Sequence, residues 1–243
     1  MGRTIILLYG IASYLLFLGV FLYLIGFVWG AYVPKGINDG EVGAFASSLA
    51  IDVFLVALFG IQHSVMARPA FKRIWTTIVP ATAERSTFVL LASACLVAMY
   101  AYWQPITDTI WDFRGETLGD AFLGASAFGW TLVLVSTFVI DHFSLFGLKQ
   151  VIYGFVNREM PTPNFVIRGP YHLVRHPLML GFLIAFWATP WMTVGHLVFA
   201  TAMTLYIRIA LHYEEKDLQE VHGSEYESYQ RRTSMLLPFG FFK

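Results

Sequence analysis

Charged side chains are scarce in this chain. Asp, Glu, Lys and Arg make up 13 % of its 243 residues, about half the roughly 25 % of an average globular domain. The 16 basic and 16 acidic side chains cancel, so no cationic field exists to hold nucleic acid and no acidic excess marks a solvated tail. Nucleic acid is thereby excluded as a main partner. Cysteine occurs once, as Cys95 inside an apolar run. That excludes an internal disulfide, a CxxC redox pair and a cysteine-ligated zinc site, and leaves a small buried hydrophobe. No repeat of solenoid period, no low-complexity tract and no HExxH occurs. In place of charge there is oil: 57 % of residues are apolar and 17 % aromatic, more than a soluble fold of this length can enclose.

The oil is grouped. Thr4 to Pro34 is uncharged, far beyond the about 7–15 apolar residues of a secretory signal, so it reads as a membrane span. Ala44 to Ala67 is broken only by Asp52 and His63, and Ser86 to Thr107 and Ala121 to Ile140 are uncharged. Each matches the roughly 20 residues a helix needs to cross hydrocarbon. Trp29, Tyr32, Trp75, Tyr102 and Trp103 stand at segment ends, where amphipathic rings favour the interface. A fifth run, Leu178 to Ile207, contains Pro190 and Gly195 and reads as a bent hairpin. Its arms of about 12 and 18 residues reach about 18 and 27 Å, so the first falls short of a full crossing, to be completed by the preceding loop or left partly re-entrant. Gly26 and Gly30 make a GxxxG spacing, either a helix contact or ordinary composition.

Cations orient the segments. Arg68, Lys72, Arg73 and Arg85 fall in the second loop, Lys149, Arg158, Arg168 and Arg175 in the fourth, and Lys216, Arg231, Arg232 and Lys243 in the tail, against Lys35 and Arg114 in the other two loops. The positive-inside rule then puts the second and fourth loops and both termini in the cytosol. The expected fold is an all-α polytopic membrane bundle: four spans, a kinked C-terminal hairpin and a cytosolic helix from about Tyr213 to Arg232 that folds back along Leu218, Val221, Tyr226 and Tyr229. Residues 1–147 hold helices 1–4, and 148–243 hold a loop, the hairpin and the last helix of the same single membrane domain.

Ionisable groups near hydrocarbon are costly and therefore functional candidates. His63, Asp141, His142, Arg208, His212, Glu214 and Glu215 all sit at the cytosolic ends of apolar segments, beside a loop carrying Arg168, Tyr171, His172, Arg175 and His176. Arg208, His212 and Glu215 follow i, i+4, i+7 spacing and share a helical face. Asp52 lies deeper and reads as a structural group that satisfies a neighbouring helix. His172 and His176 are four apart, but Pro177 biases His176 away from helical geometry, so no metal is expected. Histidines 63 and 142 leave open a haem held from two helices.

The run Arg168-Gly169-Pro170-Tyr171-His172-Leu173-Val174-Arg175-His176-Pro177, then Glu214-Glu215-Lys216-Asp217-Leu218, then Gly223, Tyr226 and Tyr229, resembles the isoprenylcysteine carboxyl methyltransferase superfamily over about the last third of the chain. Gln62-His63-Ser64-Val65-Met66-Ala67-Arg68-Pro69 and Asp141-His142-Phe143-Ser144-Leu145-Phe146-Gly147-Leu148 are similar to its bacterial methanethiol S-methyltransferase branch. One departure is Met179, where the superfamily often has tyrosine. The resemblance implies an enzyme of the bacterial inner membrane that uses S-adenosyl-L-methionine to methylate a small thiol, most concretely methanethiol to dimethyl sulfide, with the lipid bilayer as its setting and no required protein partner. Carboxyl or lipid methylation within the same superfamily, a membrane sterol-type reductase and a haem-binding membrane protein are the alternatives. No GxGxxG loop is present, so the cofactor site is not of the Rossmann type. Arg175 or Arg208 with His176 can hold the cofactor carboxylate, Glu214 or Glu215 its amine or ribose hydroxyls, and His172 and His212 complete the candidates. Tyr171, Tyr226 and Tyr229 either close over adenosine or pack the tail. The thiol needs a base: His142 supported by Asp141, His63 as second candidate, or solvent.

Overall fold

Backbone polar groups in hydrocarbon must be satisfied within their own segment, which leaves helices as the way for an open chain to cross. In the computed structural model, which describes residues 2–161 and 165–238, the apolar runs are helices. Five are long and apolar enough to cross a membrane: α1 (Arg3–Trp29), α2 (Phe45–Ala67), α4 (Ala81–Tyr102), α5 (Thr117–Ile140) and α9 (Val194–His222). Shorter helices are α3 (Pro69–Trp75), α6 (His142–Leu145), α7 (Leu148–Phe155), α8 (Pro177–Trp187) and α10 (Ser224–Arg232). The protein is an all-α polytopic membrane bundle. Lys243 of the tail lies outside the described residues.

The chain divides into two interleaved compact units. The first takes residues 1–108, 141–161 and 193–199, and in it α1 packs on α4 and α7, and α2 on α4. Small residues permit this closeness: a Cβ on Gly10 would fall 2.5 Å from Val151, and one on Gly147, already at φ +84, would fall 2.7 Å from the Ser86 backbone. Asp52 is fully buried, and its Oδ1 accepts from the Gln104 amide at 2.8 Å, just past the end of α4. This is the structural role expected of it. Gly26 and Gly30 serve the end of α1. Gly30 adopts a left-handed cap at φ +64, and a Cβ on Gly26 would strike Val33 at 2.4 Å.

The second unit takes residues 109–140, 162–192 and 200–243, with α5 against α8. The helix α8 has 11 residues, about 16 Å at 1.5 Å per residue, short of a crossing as its length implied. The turn after it is stitched by two short strands, β1 (Thr109–Asp112) and β2 (Trp191–Thr193). Phe113 N donates to Pro190 O at 2.8 Å and Trp111 Nε1 to Thr189 O at 3.0 Å, so the carbonyls exposed by the proline turn are satisfied. The expected separate helix from Tyr213 to Arg232 begins instead as a continuation of α9. Nothing between Tyr213 and His222 breaks the helix, and Gly223, at φ +53, makes the corner into α10.

Candidate active site

Pro177 cannot donate its backbone nitrogen and opens α8 at its first position, so the Arg175-His176 pair stands just outside the helix. The strand-like tail after α10 pairs with this segment: Val174 bridges Ser234, Arg175 N donates to Ser234 O at 2.8 Å and His176 N to Met235 O at 3.1 Å. Both side chains turn inward, Arg175 to 7 % exposure and His176 to 6 %. Arg175 Nε donates to Glu215 Oε1 at 2.7 Å and its Nη1 to the carbonyls of Gln230 at 3.2 Å and Thr233 at 2.5 Å. His176 Nε2 lies 3.1 Å from the same Glu215 oxygen, and Gln230 Nε2 donates to Glu215 Oε2 at 3.2 Å. A buried charge is tolerable when it is both paired and hydrogen-bonded, and each partner of this network meets that condition.

Three tyrosines surround the network. Tyr229 Oη donates to Tyr171 O at 2.5 Å, fastening α10 to the 3-10 turn Gly169–His172. Burial and the Glu215 carboxylate push the Tyr229 phenol up to about 12 against the opposing pull of Arg175. Burial likewise pushes Tyr171 and Tyr226 upward, with the Glu214 charge acting on both. All three are therefore neutral phenols at neutral pH and can donate hydrogen bonds. Tyr226 is 2 % exposed, and its buried Oη has no hydrogen-bond partner among the described residues. Phe165 sets its ring edge-on to Tyr226 and Tyr229, with centroids 5.9 and 5.7 Å away.

The other candidates of this unit sit differently. Although Arg208, His212 and Glu215 share α9, Glu215 is drawn into the network while Arg208 and His212 are exposed. Arg208 Nη1 reaches Met235 Sδ at 3.8 Å. His172 is exposed in the 3-10 turn and His176 is buried at the start of α8, so the pair shares no helix face. Gln230 and the carbonyl of Thr233 belong to the network and were not among the sequence candidates. An amide and a main-chain oxygen carry no motif, and only the proximity of the tail to the Glu214-Glu215 pair could have pointed to them.

In the first unit Asp141 caps α6, its Oδ1 accepting from Ser144 N at 3.2 Å, and its Oδ2 pairs with Lys149. The expected Asp141 to His142 support is replaced by a hydroxyl: His142 Nε2 lies 3.0 Å from Tyr14 Oη of α1. The reason is local geometry, because the carboxylate of an N-cap residue points at the amides of its own helix. His142 is 6 % exposed, and burial holds its imidazole below the usual histidine range. Its ring stands edge-on to Phe143 and Phe146 at 5.4 and 4.9 Å. Phe146 packs against the cluster of Met66, Phe88 and Val89, and Phe88 also meets the His63 ring at 4.8 Å. One aromatic cluster thus carries His142 on one flank and His63 on the other.

Known proteins resemble the chain along nearly its whole length. A protein of Mycobacterium tuberculosis named methanethiol S-methyltransferase is 45 % identical over 239 residues, covering 98 % of each chain. Methanethiol S-methyltransferase 1 of Bradyrhizobium diazoefficiens is 47 % identical over 237 residues, 98 % of this chain and 83 % of the relative. More distantly, Nurim of Rattus norvegicus is 30 % identical over 185 residues, 71 % of this chain and 69 % of Nurim. No solved structure and no family model matches the chain.

Proposed function

This chain belongs to the methanethiol S-methyltransferase family, and from that premise we propose that it methylates the sulfur of a small thiol, methanethiol to dimethyl sulfide, with S-adenosylmethionine as donor. The observation that carries the reading is identity of 45 % across 98 % of both chains in a relative of that name. When bound, the donor supplies a methyl carbon activated by a sulfonium. Its carboxylate, amine, hydroxyls and adenine call for cations, carboxylates and aromatic faces, and the residues around the RHP turn supply those chemistries. The buried, unpartnered Oη of Tyr226 fits a ligand hydroxyl or amine.

In this reading Arg175, His176 and Glu215 act as a preset wall, since the Nε and Nη1 of Arg175 and both Glu215 oxygens already meet protein partners. Arg208, exposed on α9, takes the donor carboxylate with His212, and Glu214 accepts from the amine or a ribose hydroxyl. Tyr171, Tyr226, Tyr229 and His172 close on the adenosine. An alkyl thiol is a weaker acid than cysteine, whose pKa is about 8.5, and only the thiolate is a good nucleophile. His142 takes the thiol proton, with His63 as the second candidate; a buried, neutral imidazole is already in the form that accepts one. The protein works in the bacterial inner membrane with both termini and the donor site facing the cytosol.

The test is direct. Purified protein is given S-adenosylmethionine and methanethiol, and the headspace is analysed for dimethyl sulfide. Formation of dimethyl sulfide is expected. Methylation of a prenylated carboxylate in its place would move the protein to a different acceptor class, and no methylation of any thiol would end the proposal.

A further inference from the structure

The imidazole of His142 has one nitrogen already engaged. Its Nε2 lies 3.0 Å from Tyr14 Oη, while the ring itself is 6 % exposed and flanked by Phe143 and Phe146. Tyr14 is the less buried of the two. Of the charged groups nearby, Asp141 is paired with Lys149, and Arg85 of α4 donates from Nε to Leu145 O at 2.6 Å. A phenol O–H is a far stronger acid than the N–H of neutral imidazole, and the imidazole lone pair is a strong acceptor. With the ring proton on Nδ1, the bond runs from Tyr14 O–H to Nε2.

We propose that Tyr14 is the proton relay between the acceptor thiol and His142. The thiol S–H bond breaks as its proton passes to the Tyr14 oxygen, and the hydroxyl proton of Tyr14 passes to Nε2. Tyr14 ends as a neutral phenol accepting from Nε2–H, His142 as imidazolium and the acceptor as thiolate. Methyl transfer then forms one carbon–sulfur bond and breaks another, and solvent removes the stored proton by the reverse route. A tyrosine suits the task because its hydroxyl donates to the neutral ring and accepts from the charged one with no movement of heavy atoms. The relay rests on the assignment of His142 as base.

Tyr14→Phe keeps the ring and removes only the oxygen. At neutral pH its turnover of methanethiol is expected to fall about 100-fold or more, the scale of a lost proton-transfer group, with binding of S-adenosylmethionine unchanged. The deficit should shrink toward wild type as pH rises past the pKa of methanethiol, where no proton needs removing. His142→Gln should show the same pattern. A Tyr14→Phe deficit that stays constant with pH means a packing role and overturns the relay. In 15N-histidine spectra of the wild type without substrate, the His142 resonances should report a proton on Nδ1, and a proton on Nε2 in the neutral ring would also overturn it. Wild-type turnover in His142→Gln removes the relay yet leaves thiol methylation standing, whereas a wild-type protein that makes no dimethyl sulfide defeats the functional reading itself.

Discussion

The cost of protonating a buried imidazole reaches beyond catalysis. Burial holds folded His142 below the ordinary histidine value, whereas the unfolded chain titrates near pH 6.5. Between the two the unfolded state binds more protons, so this contribution to stability is complete above about pH 6.5 and is lost as pH falls toward the folded pKa. Thermal unfolding in detergent should show an acid destabilisation that His142→Gln reduces; an unchanged acid profile would contradict it. On the donor side, His142→Ala should retain S-adenosylmethionine in equilibrium dialysis while turnover falls about 10²–10⁴-fold. Glu215→Ala should lose the donor and strand the Arg175 guanidinium in the interior, a defect of about 3–5 kcal/mol. Glu215→Gln, which keeps hydrogen-bonding capacity, should unfold at a higher temperature than the alanine variant. Retained donor binding in Glu215→Ala would remove that carboxylate from the site. The sequence made His142, Arg175, His176 and Glu215 legible because ionisable groups stand out against oil. It concealed Tyr14, because a tyrosine within an apolar span reads as packing until the fold carries the first helix to a residue 128 positions later.

Helix α8 directly follows the RHP turn, so what fixes α8 also fixes Arg175 and His176. The contact with α5 is made at two glycines. A Cβ on Gly181 would fall 2.7 Å from Gly129 O and 2.9 Å from Val133 N, and one on Gly129 would fall 2.7 Å from both Ala185 N and Gly181 O. These neighbours are backbone and cannot swing aside. Gly181→Val should therefore push the helices apart, costing about 1–3 kcal/mol as overpacking does and loosening the proposed donor site along with it. A fall in both melting temperature and donor affinity is expected, and unchanged values for both would show that the contact yields. Hydrophobic length located the spans, and Pro190 with Gly195 located the bend. The strand pairing that stitches the bend was hidden, since Thr109–Asp112 and Trp191–Thr193 are too short to show an alternating pattern. Gly26 and Gly30 illustrate the ambiguity of small residues, for their spacing suits a helix contact and their actual work is to end a helix and admit Val33.

At the scale of the molecule, orientation follows from parity and charge together. In the proposed orientation α1, α2, α4 and α5 each cross once and α8 with α9 leaves and returns, which would put both termini on one side. Arg68, Lys72, Arg73 and Arg85 fall on that side with Lys149, Arg158, Arg231 and Arg232, whereas the opposite loops carry Lys35 and Arg114. Lysine and arginine near span ends resist translocation, so the proposed orientation has the cation-rich side in the cytosol, where a donor with a carboxylate and a sulfonium would reach Arg208 and Glu214 without crossing hydrocarbon. The single native cysteine makes this measurable. With Cys95→Ala as background, Glu116→Cys in the exposed β1–α5 connection should react with a membrane-impermeant maleimide in intact cells, and Arg231→Cys only after lysis. The reverse labelling would invert the protein and place the donor site on a face that S-adenosylmethionine, made and kept inside cells, does not reach.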